Sequence, residues 1–504
     1  MELSIDIDQT LGIVDPKLHG QFIEFLGECI DQGIWVGPDS KIPNIHGFRK
    51  TIVEKMQALH PAVIRWPGGC YADSYHWRDG IGPRKQRPIT FNENFGTFTR
   101  DDHQFGTDEF MEFCELVGAE PWININLMSG TVQEMKDWME YCNRESGTDL
   151  ARLRAQNGHP APYHVKYWGI GNEVWAGGGF MTPAAYAAKY REFATAMPSF
   201  KHDLFDKEKI YRIASGPDGN KPIERVNWTR DLLNELAKYR QPSIQGLDLH
   251  YYNWNLADDD TPTEFDKQSW DRVVKGAGEI EEVIVQQGEL INQGLAKMPT
   301  PESSMDQRLS KLELIVGEWG VWHRDAFTAK PALKQQVTMR DAVATAITLN
   351  VLQRHCDLVK MATVAQSVNV LNALFLTEDE KTIMTPNYDV FVMYQRHQNG
   401  RLIQLPAMNS EKLDVMATIK QGQLTVTIIN KDYAQSHQLN LRLGAPATMT
   451  RHEELSAASP NEYNSAAAPD RVRTRTKAPA PFTADVFALE LPNASVSQFQ
   501  FQMN

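Results

Sequence analysis

The chain reads as an α/β protein, a (β/α)8 TIM barrel followed by a C-terminal antiparallel β-sandwich. Eight short apolar or β-branched runs alternate with longer segments of helical period, the pattern of repeated β-α units around a parallel sheet. Past residue 386 that rhythm gives way to apolar/polar alternation in several segments, the signature of antiparallel strands with one wet face. The 504 residues exceed the ~250 typical of such a barrel, so long loops and a second domain are expected. A doubly wound open sheet is the alternative.

The eight runs are Leu18–Phe25, Ala62–Trp66, Pro121–Asn126, Val165–Gly171, Ile210–Ser215, Leu247–Tyr252, Leu312–Trp319 and Val359–Gln366. Between them lie credible helices. Thr131-Val132-Gln133-Glu134 is a capping-box pattern, in which a threonine oxygen and a glutamate satisfy first-turn amides. Thr182-Pro183 places proline at a first helical position, where its missing N–H is harmless. Pro331 to Cys356 forms a third, long periodic stretch.

Alternation in Leu413–Lys420, Leu424–Asn430, Leu439–Leu443 and Val486–Leu491 gives the sandwich its expected strands. Ser456 to Pro481, rich in Ala, Pro, Asn and Arg, reads as a long loop. The expected division is a barrel over residues 16–385 and a sandwich over 386–504, with the alternating stretch 1–15 contributing a strand to the second domain.

Composition removes several function classes. With 51 basic and 64 acidic residues the net charge is -13, which opposes a nucleic-acid footprint. No apolar run approaches the ~18 residues of a membrane span. The five cysteines form no C-x-x-C pair, so neither a disulfide framework nor a zinc ribbon is indicated, and a reducing cytoplasm is expected. Acidic Glu2, Asp6 and Asp8 stand where an export signal would carry basic and apolar residues. None of the 14 histidines forms an H-x-H or H-E-x-x-H pattern, so no metal is expected. Gly177-Gly178-Gly179 lacks the lysine and hydroxyl of a phosphate loop and reads as a flexible loop, so no cofactor is expected.

In a barrel the C-terminal strand ends converge on one mouth. Here they carry Glu24, Arg65-Trp66-Pro67-Gly68-Gly69-Cys70, Asn124 and Asn126, Asn172-Glu173, His250-Tyr251-Tyr252, Glu318-Trp319 and Gln366. Carboxylates, amides and aromatics together suit a neutral polyhydroxyl ligand. Paired carboxylates are the usual means of cleaving a glycosidic bond, one donating a proton and the other stabilising or capturing the sugar cation. Glu173 and Glu318, closing the fourth and seventh runs, fit that pair. Arg65 serves either as a structural bridge or as the cation that keeps Glu318 ionised. Trp175 and Trp319 read as core filler, whereas Trp322 reads as a sugar platform. Cys70 lacks a neighbouring base and reads as packing or a weak ligand contact.

These motifs resemble a known family. Phe22-Ile23-Glu24, Ile64-Arg65-Trp66-Pro67-Gly68-Gly69, Tyr75-His76-Trp77-Arg78-Asp79-Gly80-Ile81-Gly82-Pro83, Gly171-Asn172-Glu173, Gly317-Glu318-Trp319 and Ala365-Gln366-Ser367-Val368-Asn369 look like the α-L-arabinofuranosidases of glycoside hydrolase family 51. The resemblance runs through the whole barrel and implies Glu173 as general acid/base, Glu318 as nucleophile and retention at the anomeric carbon. It further implies that Glu24, Asn172, Tyr252 and Gln366 bind the furanose or orient the acids, and that Arg65 supports the nucleophile. Cys70 stands where some members carry asparagine. The implied substrate is an arabinose-containing oligosaccharide, and the implied assembly a homo-oligomer, commonly a hexamer. A retaining endo-glucanase or xylosidase on the same scaffold is the rival enzyme, since clan-level residues fix the chemistry and not the sugar. A non-catalytic carbohydrate-binding protein is the rival from another class. Linkage preference depends on loops such as Phe91–Gln104 and Trp254–Asp266 and is not legible.

Overall fold

The computed structural model describes residues 1–202, 210–240, 242–258, 261–299, 311–406, 411–479 and 482–503. Within the expected loops, residues 259–260 and 480–481 lie outside the described residues.

Eight parallel strands close into a barrel: β1 (Gly20–Phe22), β2 (Val63–Trp66), β3 (Glu120–Ile125), β4 (Tyr167–Ile170), β5 (Tyr211–Asp218), β6 (Gly246–Asn255), β7 (Glu313–His323) and β8 (Val359–Val364). Each arises from one of the eight anticipated runs. β4 is buried at every position, as a strand covered on both faces must be. Both β6 and β7 run further than their apolar runs suggested, reaching Asn255 and His323. Aromatic residues at the extra positions continue the extended backbone, which suits their β propensity.

Register explains a fully buried arginine. Phe22 pairs with Arg65, and Arg65 with Trp122, so the three side chains emerge on the same level. The guanidinium carbon lies 4.6 Å from the Phe22 ring centre and 5.1 Å from that of Trp122, within the range of cation–π attraction.

Helix Val132–Asn143 begins as expected, with Thr131 Oγ1 accepting the Glu134 N–H at 3.1 Å. The reciprocal arm of the capping box is replaced: the Glu134 carboxylate turns to His76 Nδ1 at 2.9 Å. Helix Pro183–Ala196 carries proline in its first turn. The third helix is shorter than its periodic stretch, spanning Met339–Arg354. A capping box of Thr338 and Asp341 fixes its start eight residues after Pro331.

The C-terminal sheet contains β9 (Arg401–Ile403), β10 (Leu413–Lys420), β11 (Gln423–Asn430), β12 (His437–Leu455), β13 (Thr483–Leu491) and β14 (Ser495–Met503). β10 and β11 form a hairpin through Gln421 and Gly422, with φ of 51° and 77°, the doubly positive turn that matches strand twist. β12 is far longer than Leu439–Leu443. Its register shifts between Arg442 and Ala447; the first half pairs with Glu2–Ser4 and β13, the second with β14. One strand thus joins all three in a single sheet. Leu3, Leu439, Leu441 and Phe487 share a core with Val426, Ile428, Phe499 and Phe501.

The run from Ser456 is irregular but fastened. Asn464, fully buried, donates to the carbonyls of Met384 and Val472, each at 2.9 Å, and accepts the Val472 N–H at 2.8 Å. Asn461 Nδ2 donates to the carbonyls of Thr263 and Phe265, both at 3.1 Å.

The chain divides into two compact units. One holds Gly20–Tyr251 and Glu282–Trp319, the other Met1–His19, Tyr252–Glu281 and Gly320–Asn504.

Candidate active site

Six of the residues singled out from sequence gather in the first unit: Glu24, Arg65, Cys70, Asn172, Glu173 and Glu318. Arg65 organises them. Its Nη1 donates to Glu318 Oε1 at 2.7 Å and to the Gly317 carbonyl at 3.2 Å, while Nη2 donates to Asn172 Oδ1 at 2.6 Å. Burial alone would pull the guanidinium's pKa down, but the carboxylates of Glu318, Asp248 and Glu24 outweigh it and hold the pKa above the ordinary value. The fork therefore stays charged and fixes two side chains at once. With Oδ1 of Asn172 occupied, the amide NH2 points away from Arg65, towards Cys70 Sγ at 4.0 Å.

Asn172 and Glu173 follow β4 on a tight turn. Glu173 adopts φ of 40°, a left-handed conformation that costs a non-glycine residue about 1–3 kcal/mol. The turn is closed by N–H groups of Ala176 and Gly178, which donate to the Glu173 carbonyl at 2.7 and 3.2 Å. A Cβ at Gly178 would meet the Asn172 carbonyl oxygen at 2.0 Å. Within the glycine run, read from sequence as a flexible loop, Gly178 makes the close approach beside Glu173. Gly69 plays a similar part, because a Cβ there would lie 2.7 Å from Glu318 Oε1.

Between the two glutamates stands His250. Its Nδ1 lies 2.8 Å from Glu173 Oε1 and 3.5 Å from Glu318 Oε1; its Nε2 lies 3.2 Å from Asp248 Oδ2. Burial would strip the ring of its proton, but Glu318, Asp248 and the bond to Glu173 push its pKa up to about 10. The imidazole is thus a cation with two N–H donors. Glu173 in turn is raised above the ordinary 4.5, chiefly by burial and also by the Glu318 charge, against the opposing hydrogen bond from His250. Its side chain is 17% exposed against 8% for Glu318, so Glu173 is the more open of the pair.

Glu173, His250 and Glu318 each offer a donor atom within 4.8 Å of the others, a spacing that a divalent cation could bridge. A doubly protonated imidazole has no lone pair to give. His250 Nδ1 lies 2.8 Å from Glu173 Oε1, and Glu318 Oε1 is held by Arg65 at 2.7 Å, so these atoms already have hydrogen-bond partners within the protein.

Cys70 sits among the acids, its Sγ 3.9 Å from Glu173 Oε2. Burial, then Glu173, Glu24 and Glu318, push the thiol pKa well above its usual value, so it remains protonated and is no nucleophile. Glu24 Oε1 accepts the Tyr71 N–H at 3.0 Å and the Asn94 amide at 3.1 Å.

Tyr252, Trp322 and Gln366 belong to the other compact unit. Tyr252 and Trp254 follow His250 at two-residue steps on β6, and so share its face. There Tyr252 meets Trp322 edge-on at 5.0 Å, Trp254 and Trp322 stack at 4.6 Å, and Phe327 stacks on Trp322 at 5.0 Å. Gln366 is buried two residues beyond β8. Trp319 is buried filler, and Trp175 Nε1 donates to the Gly216 carbonyl at 2.9 Å.

Sequence reasoning gave no role to Asp248, His250 or Asn94. The first two were within reach: Asp248, His250, Tyr252 and Trp254 alternate along one strand, so one polar member on the inner face implied the others. Asn94 lies on a hairpin whose geometry the sequence does not disclose.

Two family models match the chain, the α-L-arabinofuranosidase 1 domain over residues 55–271 and the α-L-arabinofuranosidase C-terminal domain over residues 317–495. An intracellular exo-α-L-arabinofuranosidase of Bacteroides ovatus is 34% identical, the match covering 99% of this chain and 95% of that protein. Among solved structures, the GH51 arabinofuranosidase of Xanthomonas axonopodis pv. citri superimposes with a TM-score of 0.88 at 31% identity over 99% of both chains. The α-L-arabinofuranosidase of Thermotoga maritima, in an arabinose complex, gives 0.83 at 27% identity over 99% of both chains.

Proposed function

The chain belongs to the α-L-arabinofuranosidases of glycoside hydrolase family 51, and we propose that it releases terminal α-L-arabinofuranosyl residues from arabino-oligosaccharides by two displacements at the anomeric carbon. In the first, Glu318 attacks that carbon while Glu173 protonates the departing oxygen; in the second, Glu173 takes a proton from water, which displaces Glu318. The observation that carries this reading is the approach of the two carboxylates, with oxygens within 4.8 Å of one another across His250. So close an approach of one oxygen from each supports retention, whose carboxyl groups stand about 5–5.5 Å apart, over inversion at ~6.5–9.5 Å.

The remaining roles are those that the residue types and the family resemblance assign. Arg65 keeps Glu318 ionised and aimed. The NH2 of Asn172, turned outward by the same guanidinium, donates to the hydroxyl beside the anomeric carbon, a bond that strengthens as positive charge develops. Glu24, Cys70, Tyr252 and Gln366 grip the furanose, and Trp322 receives the next sugar.

Cytoplasmic residence and a homo-oligomeric, hexameric assembly belong to the same proposal. The Bacteroides relative is named as intracellular. Among the described residues no helix is long and apolar enough to cross a membrane.

Azide tests the division of labour. Added to Glu173→Ala it should restore turnover of an activated aryl arabinofuranoside and yield the retained azide product. Rescue of Glu318→Ala with that same retained product, and none of Glu173→Ala, would reverse the assignment.

A further inference from the structure

Asp248 takes no step in the chemistry above, yet each of its oxygens is tied to one of the acids. Oδ1 accepts the backbone N–H of Gly317, the residue before Glu318, at 2.7 Å. Oδ2 faces His250 Nε2 at 3.2 Å, and Arg65 Nη2 lies 3.9 Å from the same oxygen. The opposite nitrogen of that ring is the one 2.8 Å from Glu173. Asp248 itself is buried.

We propose that Asp248 is a positioning residue, the permanent counter-ion that keeps His250 doubly protonated through the whole cycle, so that its Nδ1–H always donates to Glu173. This rests on the roles given above to Glu173 and Glu318. The charged groups facing the imidazole are Glu173 from the turn after β4, Asp218 from the end of β5, Glu318 from β7, Arg65 from β2 through its contact with Asp248, and Asp248 on its own strand. Two of these change during turnover. When a Glu318 oxygen bonds to the anomeric carbon and the bond to the aglycone oxygen breaks, Glu318 loses its charge and the Glu173 proton leaves on the aglycone. Negative charge has then moved from Glu318 to Glu173, on either side of one imidazole nitrogen. Asp248 is the partner at the other nitrogen and takes no part in that transfer. Without Asp248, Arg65 and His250 would face one carboxylate fewer in both states, which weakens the hold of the imidazole on its second proton.

The test is nitrogen NMR of the full-length protein labelled at histidine, with His250 assigned by its absence from His250→Gln. In the wild type at pH 8, both ring nitrogens should carry protons, in the free enzyme and again after trapping with a 2-fluoro arabinofuranosyl reagent. In Asp248→Asn the ring should lose a proton between about pH 6 and 8, and the kcat/KM profile should gain an ionisation in that range. A neutral ring in either wild-type state would overturn the proposal, as would a folded Asp248→Asn protein whose His250 stays doubly protonated at pH 8. The wild-type spectra decide even where the variant does not fold. A failed azide rescue would count against the glutamate roles and leave the charge on His250 standing as measured.

Discussion

Arg65 and Glu318 form an ion pair 2.7 Å long in which the guanidinium is wholly buried and the carboxylate nearly so. Because Arg65 also holds Asn172, one side chain positions a group on β7 and another on the turn after β4. Arg65→Met would leave Glu318 in a site with its nearest cation removed, an arrangement that costs about 3–5 kcal/mol. Unfolding in urea should report that loss. Arg65→Lys keeps the charge but cannot span both partners, so its kcat should fall by about 10²-fold, the scale of a 1 Å misplacement, with a much smaller effect on stability.

The pH profile follows from Glu173. Its carboxyl is held above the ordinary 4.5 by burial and by the charge on Glu318. A group that must donate a proton is active below its pKa, so kcat/KM should fall as pH rises through that raised value. Converting Glu318 to Gln removes one of the causes and should move Glu173 titration downward. Carboxyl-stretch infrared difference spectra of the inactive variant would read this directly. An unchanged titration would show that the two glutamates are not coupled.

Trp322 lies four residues beyond Glu318 on β7 and is proposed above as the platform for the next sugar. Trp322→Ala should raise KM for arabino-oligosaccharides about 3–10-fold, the worth of one aromatic contact, and leave kcat for a small aryl arabinofuranoside nearly unchanged. Steady-state kinetics on the two substrates separates a platform from a core residue, whose loss would depress both.

The barrel was legible because parallel strands buried on both faces must be short apolar runs, and all eight stand out. Glu173 and Glu318 could be paired from sequence because strand ends share one mouth, and an oxygen of each does lie within 4.8 Å of the other. Lengths were not: the aromatic tails of β6 and β7 and the bend that prolongs β12 are settled by pairing partners distant in the chain. Nor could sequence tell that Glu134 would prefer His76 to its own helix terminus, or that the glycines after Glu173 are a tight support. Both depend on which neighbour tertiary packing brings near. Asp248 looked like an ordinary strand residue because its meaning comes from Gly317 and His250, one of them 69 positions away.

The most direct measurement is covalent trapping with a 2-fluoro arabinofuranosyl reagent, followed by digestion and mass mapping. A single added sugar on the peptide containing Glu318, together with a retained product under normal turnover, is the expected result. A label on Glu173, or an inverted product with no adduct, would contradict the double displacement.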